Sequence, residues 1–320
     1  MFENGLSGMA TSNQNDYFRG KHEVCVLSSC KTESYETFHS RCKKNPGHTN
    51  FIPINDFVID NLPVYYQDND LFEVIKTIAD LTVMLSVRYT SQNRPEFFPN
   101  TTIPYPFYDV RGKTMLKFGT GMVSKVLKCD GKSKTCPRHQ GDSVRSCESW
   151  WEIEVETAAH VVFDKDEAQC TTCTVDFNCR DSPLVTLDAI DVTNSDVQHD
   201  SCRMKCVTHD MKLGEKLLKK LQKFKTLRRK VSNRFYLNDR ENLAIIVSHP
   251  HGCHKHVSIG RWITKEHTES HRSRYVYDTP TCTGSSGAHV YIPSKTVFWF
   301  SHIHNGHQEG RGNYCSPGWL

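Results

Sequence analysis

Trp150-Trp151-Glu152-Ile153-Glu154-Val155-Glu156 alternates apolar and acidic side chains and runs without a break into Thr157-Ala158-Ala159-His160-Val161-Val162. Alternation with a period of two predicts a strand with one buried and one wetter face, and this strand ends by delivering a histidine among small residues. Strands of the same kind are expected on either side, over 115–127, 183–192, 242–249, 256–262, 275–279, 288–292 and 296–303. Many short strands divided by Gly, Asp and Lys point to a barrel or sandwich.

Two segments depart from that pattern. From Asp68 the stretch Asp-Asn-Asp-Leu-Phe-Glu-Val-Ile carries Leu71, Val74, Ile75 and Ile78 at helical spacing, with Asp68 or Asp70 available as an N-cap, and from Leu81 it turns β-branched. A helix leading into a strand is expected there, followed by a loop over 92–106 punctuated by four prolines. The second helix, 211–231, is amphipathic and basic, with Leu213, Leu217, Leu221 and Phe224 on one side. It reads as a connector whose leucines lie on the protein and whose lysines stay in water.

The chain has 320 residues, more than one small barrel needs, and its 40 basic and 36 acidic side chains are too evenly matched to imply nucleic acid as a partner. It has no apolar run long enough to cross a bilayer. The first 18 residues lack a basic start followed by an apolar stretch, so no secretory signal is read and a cytoplasmic location is expected, or a secreted one if the chain is processed. The polar first 50 residues are expected to carry no chemistry. Fourteen cysteines are present; in a reducing compartment most would serve as small core thiols. Cys170, Cys173, Cys202 and Cys206 have the side chains of a zinc site but looser spacing than a paired CxxC set, and the histidines at 249, 251, 254 and 256 read as a solvated loop. No cofactor is expected.

Three motifs carry chemistry together. Thr157-Ala-Ala-His160-Val-Val follows a strand, Gly119-Thr120-Gly121 precedes it, and Cys282-Thr283-Gly284-Ser285-Ser286-Gly287-Ala288 comes later as a tight glycine-bounded turn that presents a serine. In this order they resemble the chymotrypsin-like serine proteases, in the style of the high-temperature-requirement and glutamyl endopeptidase types, over residues 105 to 320. Ser285 and His289 depart from the family's usual Asp or Asn and Pro. The resemblance implies a mainly β protein of two six-stranded antiparallel barrels. An accessory region is expected at 1–105, the first barrel at 106–210, the connecting helix at 211–232 and the second barrel at 233–320.

It also implies a catalytic triad of His160, Asp200 and Ser286, with the N–H groups of Gly284 and Ser286 as an oxyanion hole. Asp200 is preferred over Asn242 because only the former is an acid. Pro280, His302 and His304 would line the substrate pocket, where a histidine suits an acidic side chain before the cut. The expected partner is a protein or peptide substrate. The rival reading is a catalytically impaired protein that keeps the protease fold as a binding or scaffolding module. An α/β-hydrolase is excluded by chain order, since no histidine follows Glu309, the only acid after Ser286.

Overall fold

The computed structural model describes residues 20–27, 42–131, 136–137, 148–236, 242–269, 272–295 and 302–319. Most of the strand expected over 296–303 lies outside them, as do residues 1–19 and 28–41 of the polar front segment. The strands run β1 (Lys21–His22), β2 (Cys25–Leu27), β3 (Ile52–Pro53), β4 (Thr82–Tyr89), β5 (Thr114–Asp130), β6 (Ser149–Thr157), β7 (Thr171–Val175), β8 (Val185–Asp196) and β9 (Ser201–Thr208). After the long helix come β10 (Leu243–Ser248), β11 (His256–Glu269), β12 (Arg272–Tyr277), β13 (Val290–Tyr291), β14 (His304–Gln308), β15 (Gly312–Cys315) and β16 (Gly318–Trp319). The helices are α1 (Asn69–Leu81), α2 (Lys165–Gln169) and α3 (Met211–Phe235).

The protein is mainly β, built from two curled antiparallel sheets. In the first, β5, β4, β7, β8, β9 and β6 follow one another, and β6 pairs back onto β5, closing a ring of six. β5 can serve three partners because it is long: its first half pairs β4 and β2, its second half β6. The ring takes in Thr82–Tyr89, so the expected boundary at 106 falls too late; the segment between that strand and β5 is the proline-punctuated loop. The second sheet runs β1-β14-β15-β12-β11-β10-β13, with β16 on β12 and β3 on β11. A bridge between His289 and Ile303 draws β13 back toward the start of β14. Two of its strands therefore come from the front segment, outside the expected 233–320.

The helices cover the ring. Asp68 caps α1 by accepting from Leu71 N (2.9 Å), and Asp210 caps α3 through Leu213 N (3.0 Å). Leu71, Val74, Ile75 and Ile78 of α1 and Leu217, Leu221 and Phe224 of α3 are fully buried, each contributing about 1.5–3 kcal/mol by leaving water. α3 lies so close to β6 that a Cβ on Gly214 would sit 2.2 Å from the Trp151 ring. α3 follows β9 and precedes β10 in the chain with its leucines buried, and among the described residues no helix is long and apolar enough to span a membrane.

Candidate active site

His160 follows β6 in a turn where the amides of Val161 and Val162 both donate to the Ala158 carbonyl. Only small side chains fit: Ala158 and Ala159 are fully buried, and a Cβ on Gly119 would strike Val161 at 2.6 Å. The His160 carbonyl accepts from Arg94 Nη2 (3.1 Å), and Arg94 forms a buried two-pronged ion pair with Glu167. Asp200, in the turn between β8 and β9, holds the left-handed backbone (φ 53). Its Oδ1 accepts the His160 amide (2.9 Å), and its Oδ2 lies 2.6 Å from His160 Nδ1. Asn305 Nδ2 of β14 donates to the same carboxylate. Asn242, the weaker alternative, instead gives its carbonyl to Trp262 N.

The loop that carries Ser286 depends on two glycines. Gly284 (φ 96) and Gly287 (φ 90) take conformations that strain any residue with a Cβ, and a Cβ on Gly287 would lie 2.1 Å from the Thr120 carbonyl. Ser285 Oγ accepts from Cys282 N (3.3 Å), tying the turn across its base. Thr120 fastens the loop to the ring: its amide donates to the Ser286 carbonyl and its hydroxyl to the Gly284 carbonyl, both at 2.8 Å. Ser286 Oγ then lies 2.8 Å from His160 Nε2. The three residues expected as a triad stand in one hydrogen-bonded line, all buried.

The front segment fills the cleft. β1 pairs antiparallel with β14 and β2 with β5, so residues 21–27 bridge the two sheets. Between them, the Glu23 carbonyl accepts from Gly284 N (2.6 Å) and Ser286 N (3.3 Å), and the Glu23 amide donates to Ser286 Oγ (2.9 Å). The Glu23 carboxylate meets His304 Nε2 (2.7 Å) and Lys44 Nζ. Burial alone would raise its pKa, but His304 and Lys44 outweigh that and hold it at about 2. Burial keeps His304 below the usual imidazole range despite Glu23. With Nε2–H given to Glu23, His304 Nδ1 accepts from the Tyr277 hydroxyl (2.6 Å).

Of the other expected pocket residues, Pro280 lies between two residues tied to the Glu23 site: Lys44 also donates to Thr281 Oγ1 (3.0 Å) and Asn313 Oδ1 (2.7 Å), and Asn313 donates to the Thr279 carbonyl. His302 does not reach the pocket. Alternation along the chain turns it the other way, where it packs on Tyr275 and donates to the Ser273 carbonyl (3.1 Å).

Of the four cysteines weighed as zinc candidates, Cys173 and Cys206 approach to 3.8 Å inside the ring's apolar core, Cys202 is buried there too, and Cys170 caps the end of α2, partly buried; they form no ligand set. The one such cluster among the described residues is Cys42, His48, His251 and Cys282. The loop of histidines is not solvated either, since His249 and His256 are buried. Sequence reasoning also missed Glu23, Lys44, Arg94 and Asn305. Arg94 followed by Pro95 in a polar loop carries no local signal, and Glu23 and Lys44 stand in the stretch expected to be inert.

No protein-family model matches the sequence, and no curated protein does. Among solved structures the chain is similar to AlgW, an HtrA-type protease, with a decapeptide (10% identity, 77% of this chain and 62% of that one, TM-score 0.40). It is also similar to the active form of the Rv3671c protease from M. tuberculosis (12% identity, 77% and 78%, TM-score 0.39). The chain spans under two thirds of AlgW's length.

Proposed function

We propose that this protein is a serine endopeptidase that hydrolyses protein or peptide substrates through His160, Asp200 and Ser286. The observation that carries the reading is the 2.8 Å approach of His160 Nε2 to Ser286 Oγ, with Asp200 behind the ring. In that arrangement His160 takes the proton from Ser286 as its oxygen attacks a carbonyl carbon. Asp200 fixes the tautomer with Nδ1 protonated and stabilises the imidazolium. The amides of Gly284 and Ser286 face the carbonyl oxygen as negative charge builds on it. His160 returns the proton to the leaving amine, and water hydrolyses the acyl-enzyme by the same steps in reverse order.

The test is modification of Ser286 by an active-site phosphonate, followed by mass spectrometry. Wild-type protein and a Glu23→Lys variant, in which repulsion from Lys44 frees the cleft, are treated in parallel. Labelling of Ser286 in either, lost in His160→Ala, supports the enzyme. Folded protein that stays unlabelled in both forms and leaves an unfolded protein substrate intact overturns it in favour of a binding module.

A further inference from the structure

The segment 20–27 lies in the cleft as a substrate would. We propose that the chain cleaves itself between Glu23 and Val24, and that the same pocket selects glutamate before the cut in other substrates. The inference rests on the endopeptidase reading above and adds to it a bond and a side-chain class.

Four contacts converge on one peptide. The Glu23 carbonyl oxygen sits between the two amides that would stabilise an oxyanion, at 2.6 and 3.3 Å. The Ser286 hydroxyl oxygen is 2.9 Å from the Glu23 amide and 3.2 Å from the Asn305 carbonyl, so along the segment it stands beside Glu23. Upstream, Lys21 and His22 pair antiparallel with His307 and Gly306, and the His22 ring meets the His160 ring with centroids 5.3 Å apart. Downstream, Cys25 and Val26 pair with Phe118 and Lys117 of the ring. The peptide is therefore held on both sides of the bond.

The pocket matches the side chain. Glu23 has one carboxylate oxygen on His304 and the other on Lys44, and both partners are fixed, His304 by Tyr277 and Lys44 by Thr281 and Asn313. A neutral or cationic side chain would leave His304, which is buried, and Lys44, whose side chain is 29% exposed, without their counter-charge, which disfavours it. In the reaction Ser286 Oγ bonds to the Glu23 carbonyl carbon and the bond to Val24 N breaks. The Ser286 proton passes through His160 to that nitrogen, giving a new amino terminus at Val24. Water then releases the Glu23 carboxylate, its proton returning to Ser286 Oγ by way of His160. With Ser286 at 0% exposure, no other peptide enters until this segment has gone, so the cut also opens the enzyme.

Intact-mass measurement of purified protein tests this. Wild-type protein should yield a fragment beginning at Val24 at a rate independent of protein concentration, and Ser286→Ala should stay whole. Glu23→Gln should slow the cut at least tenfold, and peptides with Glu before the scissile bond should be cleaved at least tenfold faster than their Gln counterparts, a ratio that His304→Ala collapses. Wild-type protein uncut at Glu23 while Ser286 is labelled and other proteins are hydrolysed overturns the self-cleavage and leaves the endopeptidase standing. No cut at Glu23, with no labelling and no substrate hydrolysis in either the wild-type or the Glu23→Lys protein, overturns both.

A separate observation concerns the cluster beside the pocket. We infer that Cys42, His48, His251 and Cys282 form a zinc site that clasps the front segment to the nucleophile loop. The Sγ atoms of Cys42 and Cys282 are 3.3 Å apart, Cys282 Sγ is 3.3 Å from His48 Nε2, and the two Nε2 atoms are 3.1 Å apart. A tetrahedral zinc with Zn–S of about 2.3 Å and Zn–N of about 2.0–2.1 Å has edges of roughly 3.3–3.8 Å; these three distances are at or slightly under those edges, and all four atoms lie within 4.8 Å of one another. The surroundings suit such a site as well. His251 Nδ1 is 3.0 Å from Thr283 Oγ1, so a proton given there leaves Nε2 as a lone pair facing the cluster. Asn45 donates from its amide to Cys42 Sγ and from Nδ2 to Cys282 Sγ, as thiolates require. His48 (φ 51) and His251 (φ 58) both hold left-handed backbone, a conformation few residues keep without a reason. A Cys42–Cys282 disulfide would explain the sulfurs but not two imidazoles turned onto them.

Cys282 lies four residues before Ser286, and the His251 amide donates to the Thr283 carbonyl (2.5 Å), so the metal would fix the loop that carries the nucleophile. Plasma mass spectrometry of protein purified without chelator should find one zinc per chain. Cys42→Ser and His48→Ala should each lose it, and Cys170→Ser should retain it. Replacement by cobalt should add thiolate-to-metal absorption. Protein that holds less than a tenth of an equivalent after incubation with zinc chloride, or whose mass shows the Cys42–Cys282 disulfide, overturns the site.

Discussion

The six-stranded ring buries a continuous apolar core, from Val83 and Leu85 of β4 through Ile153 and Val155 of β6 to Met204 of β9. The second sheet instead fills much of its interior with polar side chains: His289, His302, His304, Asn313 and Ser273 are all nearly inaccessible, and its separate apolar cluster, centred on Ile246, Tyr275 and Tyr277, is small. The ring supplies His160 and Asp200, the proposed base and acid, whose positions need only one well-packed wall. The second sheet supplies the Ser286 loop and the proposed pocket, where backbone amides and ring nitrogens must point inward. A polar interior with converging donors cannot also be a dry apolar core, and the second sheet leans on strands from the front of the chain to complete itself.

That contrast can be broken from either side. The largest effect is expected on catalysis where the halves meet: Asp200→Asn should leave the fold intact and lower kcat by roughly ten-thousandfold, because the imidazole is then held in the wrong tautomer; peptide hydrolysis checks it. Within the ring, Glu167→Gln strands buried Arg94 beside Lys117, whose own pKa burial has already pushed down to about 7. Removing one partner of such a buried pair should lower stability by about 3–5 kcal/mol in urea unfolding.

The second sheet should answer to pH instead. Burial holds His289 at about 3 and His302 at about 4. The unfolded chain takes up a proton at each near pH 6.5, whereas the folded chain does not until it approaches those lower values. Stability is therefore fully present above pH 6.5 and falls as pH drops toward 4, by up to about 1.4 kcal/mol per pH unit for each histidine. The urea midpoint should be lower at pH 5 than at pH 7.5, and an unchanged midpoint would contradict the buried, neutral state of these rings. The smallest effect is expected outside both cores. Lys223 and Glu73 join α3 to α1 on the surface with both side chains nearly half exposed, and Lys223→Ala should change stability by less than about 1 kcal/mol.

Much of the site was legible because its parts are local. A strand that ends in Thr-Ala-Ala-His needs small residues where the chain turns against a neighbour, and a loop that aims two amides at one point needs glycine at 284 and 287; such demands fall on adjacent residues and leave a pattern. The mainly β character and the two longer helices were read from periodicity for the same reason, with Asp68 or Asp70 offered by residue type as the cap of the first. The ring's extent was not, since Thr82–Tyr89 looks like any strand until β5 and β7 are seen on either side of it.

What the sequence alone determined, then, are the features that one stretch of backbone imposes on its own neighbours: the histidine turn, the serine turn and the alternation of the strands. What only the tertiary structure decided are the pairings between residues more than two hundred positions apart, namely Glu23 with Ser286 and His304, Lys44 with Asn313, and Cys42 and His48 with His251 and Cys282. Chain closure can bring any polar segment to any pocket. Which one arrives is settled by strand pairing and by the charge waiting there, and neither is written near the residues that use it.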